Sequence, residues 1–95
     1  MNAYIITYDN RSPRDYTGVL TLMQRWGAVR LAQSVWLVSL ANTPSAVRNA
    51  VQSTLEPTDV VAVLELPRTG GWATNNVDMA ANNWLSTNVS PAIAA

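Results

Sequence analysis

Residues 28–40, AVRLAQSVWLVSL, read as strand from end to end. Thirteen residues is long for one strand, since most have about 3–10. The run has to fold back on itself, and the polar pair Gln33–Ser34 is where it is interrupted. No glycine and no Asn-Gly pair marks the break, although these are the usual signals for a tight hairpin. The expectation is two antiparallel strands meeting at Gln33–Ser34. A hairpin placed between two stretches of helical spacing leaves few folds open to the chain.

The flanking segments supply those stretches. Residues 3–8, AYIITY, are apolar at both parities and rich in β-branched and aromatic side chains, which predicts a strand covered on both faces. Asp9-Asn10 ends it with two turn-forming residues. Ser12-Pro13-Arg14-Asp15 then reads as a helix start: Ser12 caps, Pro13 suits the first helical position, and Asp15 answers as in a capping box. Tyr16, Val19, Leu20, Met23 and Trp26 follow at spacings of three and four, forming one apolar face, and Gly27 is a natural stop. Gly18 inside this helix costs roughly 1 kcal/mol against Ala. After the hairpin, Thr43 caps and Pro44 leads in a second helix with Val47, Ala50, Val51 and Leu55 on its apolar face, ended by Glu56-Pro57. Residues 59–66, DVVAVLEL, form the last clear strand and 67–71 a loop. Val77, Ala80, Ala81, Trp84 and Leu85 predict a short helix over 77–87, ended by Ser90-Pro91.

The order β-α-β-β-α-β predicts a ferredoxin-like α+β domain over residues 1–66, an antiparallel four-stranded sheet with two helices on one face. Residues 67–95 form a C-terminal appendage. The second sheet face carries apolar residues, Val35 or Trp36 depending on register, and a face of that kind is normally covered. The tail covers part of it in this reading, and a second copy of the chain covers the rest, so a homodimer is expected. Trp26, Trp36 and Trp84 fall on periodic apolar faces and belong to core or interface. Trp72, after Gly70-Gly71, is expected to close the tail over the sheet, the alternative being an exposed stacking platform.

What is missing bounds the chemistry. The 95 residues contain no Cys, no His and no Lys, with six Arg balanced by six carboxylates. That excludes disulfides, thiolate nucleophiles, imidazole bases, His-ligated zinc, Schiff-base lysines and a P-loop. The remaining tools favour hard-cation chemistry on oxygen ligands, or no chemistry at all. With zero net charge, phosphate binding would have to come from a local Arg cluster. The N-terminal MNAYIITYD has no basic region ahead of an apolar stretch, and no apolar run nears the ~18 residues of a membrane span. A cytoplasmic protein without a membrane partner is expected.

With the elements in place, the residues resemble a family. Tyr4-Ile5-Ile6-Thr7-Tyr8-Asp9 is similar to a first strand ending in Tyr-Asp, with Arg11 in the loop that follows. Trp26-Gly27 stands where the family usually has Tyr-Gly, and Gln33-Ser34-Val35-Trp36-Leu37 loosely matches a Gln-x-Ser-Val-Phe region. Over residues 3–66 the chain resembles the small CRISPR-associated dimeric ferredoxin-like endonucleases, the second numbered protein of the adaptation machinery. The virulence-associated D toxins share that fold. The chain departs from the pattern in its neutral charge, its lack of Lys, and Trp36 in place of the usual Phe. The resemblance implies a dimer in which the Asp ending strand one, here Asp9, sits near the two-fold axis and helps hold a divalent cation.

Asp9 is accordingly the candidate catalytic and metal-binding residue, for Mg²⁺ or Mn²⁺. One carboxylate is too few alone, but Mg²⁺ is satisfied by one or two plus waters and substrate phosphates, which two copies can supply. The plainer alternative is a turn at a strand end. Arg11 and Arg14 are candidate phosphate-binding residues, since guanidinium groups grip phosphate bidentately and helix N-termini favour anions; alternatively they are surface residues or partners of Asp15. Arg25 and Arg30 either extend a basic path or lie on the surface. Tyr8 is a supporting residue that stacks on a base or orients Asp9, or else packs in the core. Ser34 supports the site or marks the bend between strands. Asp59, Glu65 and Asp78 show no spacing for a second carboxylate site. The expected activity is metal-dependent hydrolysis of RNA or DNA phosphodiesters by water. A non-catalytic homodimeric module binding nucleic acid or protein, and a ribonuclease toxin, are the alternatives.

Overall fold

A computed structural model of the chain describes residues 1–9 and 16–89. In order these form β1 (Asn2–Asp9), α1 (Thr17–Arg25), β2 (Val29–Ala32), β3 (Val35–Leu40), α2 (Pro44–Gln52), β4 (Val60–Leu66) and α3 (Met79–Asn88). The strands make one sheet in the order β2-β3-β1-β4. Every neighbouring pair is antiparallel. This is the expected ferredoxin-like α+β arrangement, with β1 central and β2 and β4 at the edges.

The hairpin forms where the polar pair interrupts the strand run. Gln33–Ser34 connects β2 to β3, and Ser34 takes φ +60°. A residue in the left-handed region lets the chain reverse without a glycine, at a cost of order 1 kcal/mol. The strands also fall out of step beside the turn. Arg30 pairs with Trp36 but Ala32 pairs with Val35, which leaves Leu31 as an extra residue in β2. Such a bulge bends its strand and sharpens the local twist.

The helix ends follow local chemistry. Thr43 is extended, and its Oγ1 accepts the Ala46 N–H at 3.2 Å with Pro44 behind it, the cap read from the sequence. Gly27 takes φ +67°. Its N–H donates to the Gln24 carbonyl and the Ala28 N–H to the Met23 carbonyl, the paired bonds of a Schellman stop. One expectation shifts. α2 ends at Gln52 rather than at Glu56-Pro57. There the Ser53 and Thr54 hydroxyls donate to the carbonyls of Ala50 and Val51 at 2.6 and 2.7 Å, competing with the helical ladder. α1 starts at Thr17, with Tyr16 in the capping position. The start read at Ser12-Pro13 and Asp15, and the stop at Ser90-Pro91, lie outside the described residues.

The two sheet faces bury different partners. Tyr4, Ile6 and Tyr8 of β1, with Trp36 and Val38 of β3, pack under Val19 and Met23 of α1 and Val47 and Val51 of α2. Tyr4 is fully buried, and its hydroxyl donates to the Asn42 carbonyl just before α2. On the opposite face Ala3 and Leu37 pack against Ala81 and Leu85 of α3 and against Val89. Half-buried Trp72 joins this second cluster, and its Nε1 donates to the Val89 carbonyl at 2.8 Å. Thr74 ties to Asn82 through its hydroxyl. The tail thus closes over the sheet, with α3 itself against β2 and β3 and with Ala3, Ile5 and Leu66 joining the same cluster. None of the described helices is long and apolar enough to cross a membrane.

Candidate functional site

Asp9 is the last residue of β1 and lies opposite Val60 at the start of β4. Successive strand side chains point to opposite faces. Tyr4, Ile6 and Tyr8 occupy the helix-covered face, so Ala3, Ile5, Thr7 and Asp9 occupy the other. Across the ladder Ile5 pairs with Leu64, Thr7 with Ala62 and Asp9 with Val60. Ile5 and Leu66 pack into the cluster under α3 and Trp72, but beyond them Leu64 is 54% and Val60 41% exposed. The result is an apolar strip on β1 and β4 that ends in an exposed carboxylate.

The acid nearest along the chain of β4 is otherwise engaged. Asp59 is buried, and its Oδ2 accepts the Glu56 N–H at 2.9 Å, while its own N–H donates to the Glu56 carbonyl. It closes the turn that launches β4. Among the described residues no three His, Cys, Asp or Glu side chains gather as a metal-binding group. Asp9 is nonetheless suited to a hard cation: it offers carboxylate oxygens and is exposed, leaving room for waters and phosphate oxygens to complete an octahedral shell. Within one chain it supplies one ligand residue, half of what a two-fold site would use.

The supporting residues separate from it. Tyr8 is buried on the helix face, away from Asp9. Its hydroxyl accepts the Trp36 Nε1–H at 3.1 Å, and its ring lies tilted to Tyr16 with centroids 5.6 Å apart. The Tyr8 N–H donates to the Ser34 carbonyl at 3.3 Å, so Tyr8 and Ser34 are brought together at one end of the sheet. Arg11 and Arg14 lie outside the described residues. Arg25 is exposed in the last turn of α1, where a cation complements the helix dipole.

One group went unread in the sequence. The Arg30 guanidinium stacks over the Trp36 ring, 4.5 Å from its centroid. With Tyr8, Tyr16, Leu20, Gln33 and Ser34 it lines a cleft of about 220 Å³ between the hairpin turn and the start of α1. Cross-strand pairing of Arg30 with Trp36 was the signal, but it requires the register beyond the bulge, which spacing alone does not give. No family model matches the chain.

Proposed function

We propose that this chain works as a cytoplasmic homodimer that hydrolyses phosphodiester bonds of RNA or DNA with Mg²⁺ or Mn²⁺, in the manner of the CRISPR-associated endonucleases it resembles. The observation that carries this is the exposed pair Leu64 and Val60 on β4, a strip that runs up to exposed Asp9 across the ladder. Two copies meeting across that strip bury it, and a two-fold axis at its Asp9 end sets two carboxylates side by side. When bound there, the cation supplies a polarised phosphate and a more acidic water. Asp9 holds the ion, and Arg11 and Arg14 hold phosphate oxygens bidentately. Water would be the nucleophile of the hydrolysis, and with no His or Lys in the chain to serve as general base its activation would fall to the cation.

A second reading is favoured by the isolation of Asp9. With Asp59 committed to its turn, the same dimer serves as a non-catalytic module that bridges nucleic acid or protein.

The test is cleavage of labelled single-stranded RNA and double-stranded DNA in Mg²⁺, Mn²⁺ or EDTA, alongside sedimentation of the protein. Asp9→Asn should lower cleavage on the order of 100-fold or more, as the loss of metal-borne stabilisation requires. It should leave the dimer intact. Cleavage that survives the substitution removes Asp9 from the chemistry. An intact dimer that cleaves neither substrate selects the second reading, and a monomer overturns both.

A further inference from the structure

We propose that the cleft between the β2–β3 turn and the start of α1 binds one nucleotide of a single strand, with its phosphate on Arg30 and its base against Tyr16. The proposal rests on the nucleic-acid reading above for its ligand class, but it does not use Asp9, Arg11 or Arg14.

Arg30 stands on a fixed platform. Its guanidinium lies 4.5 Å above the Trp36 ring, and that indole is held in turn by its Nε1 bond to the Tyr8 hydroxyl at 3.1 Å. A guanidinium held over an indole face keeps N–H donors of the geometry that suits bidentate phosphate. Among the described residues no carboxylate pairs with Arg30. Tyr16 supplies a half-buried ring to the same cleft, braced against Tyr8 at 5.6 Å. Aromatic faces of this kind accept any base by stacking. Gln33 adds an exposed amide at the rim, with both donor and acceptor atoms.

Size and backbone agree with a small ligand. The cleft holds about 220 Å³, less than the ~300–1,000 Å³ of sites for drug-sized molecules, so it encloses only part of a nucleotide and leaves the rest at the rim. Ser34, at φ +60°, is a non-glycine held in the left-handed region at the cleft wall, and β2 bulges beside it. Residues held this way cluster at ligand sites, and bulges re-aim side chains there. Asp9 follows Tyr8 directly, so a strand seated in the cleft leaves it at the same end of β1 as the proposed hydrolytic carboxylate.

Fluorescence anisotropy with labelled single-stranded RNA and DNA hexamers tests this, in EDTA and in an Asp9→Asn background so that nothing is cut. Arg30→Gln should weaken binding roughly tenfold or more, the worth of one charge-assisted phosphate contact. Tyr16→Leu should weaken it by about tenfold through lost stacking. Arg48→Gln, an exposed cation on α2, should leave it unchanged. Because Arg30 is exposed, its loss spares the core, and circular dichroism confirms the fold. Equal affinities for the folded Arg30→Gln and Arg48→Gln proteins, or binding of neither hexamer by the parent, overturn the proposal. Binding that depends on Arg30 while wild-type protein cuts nothing fails the hydrolytic reading and keeps this one.

Discussion

The two faces of the sheet receive similar strand side chains and very different cover. Toward α1 and α2, Ile6 and Tyr4 are fully buried and Trp36 nearly so. Toward α3, Leu37 is fully buried while Leu64, two strands away, is 54% exposed. Both helices of the first layer are crossovers that the β-α-β-β-α-β order obliges to lie on one face. The second layer is a tail helix of ten residues, and the cluster beneath it takes in Ala3, Ile5 and Leu66 but leaves Leu64 and Val60 of β4 exposed. The closed face therefore carries stability, and the half-open face leaves apolar surface where a partner can act.

Substitutions can break or sharpen that contrast. The largest effect belongs to Ile6→Ala, which opens a cavity in the closed face. It should cost about 2–5 kcal/mol in a denaturant melt. A loss below about 1 kcal/mol, less than the transfer of the deleted methylenes alone, would mean that the helix layer is loosely packed. Leu85→Ala comes next, because it deletes the anchor of α3 on the other face. We expect roughly 2–3 kcal/mol, toward the lower part of the range for such truncations, with faster amide exchange confined to α3. Exchange that accelerates equally in α1 and α2 would show the two layers to be one cooperative unit. The smallest effect on stability is expected for Leu64→Lys in the open strip. The monomer should change by no more than about 0.5 kcal/mol, as exposed positions do. The dimer proposed above should nonetheless dissociate in sedimentation, and a dimer that survives the charge would have to use another surface.

Much of this was legible in the residues. Thr43-Pro44 starts α2 and Gly27 stops α1 through local hydrogen bonds that short motifs encode. The hairpin at Gln33–Ser34 was forced by strand length even without a glycine, and Ser34 absorbs the missing flexibility. The end of α2 was misplaced because Ser53 and Thr54 turn their hydroxyls onto the helix's own carbonyls, a competition that apolar spacing does not register. At the candidate site, Asp9 was legible as a strand-end carboxylate. The separation of Tyr8 from it follows from period-two alternation once the buried face is known. The Arg30–Trp36 stack was not legible, since a one-residue bulge sets which β2 side chain meets the indole.

The sequence by itself determined the element order, the two-helix layer and the poverty of chemical tools: a chain without Cys, His or Lys is limited to oxygen ligands and guanidinium groups. These are local or compositional properties, and they need no long-range partner to be fixed. Only the tertiary structure decided which half of the second face α3 covers, that Asp9 ends an exposed apolar strip, and that Arg30, Trp36, Tyr8 and Tyr16 converge at one end of the sheet. Those juxtapositions come from strand register, from the bulge in β2 and from packing between elements, none of which apolar spacing within a window of sequence fixes.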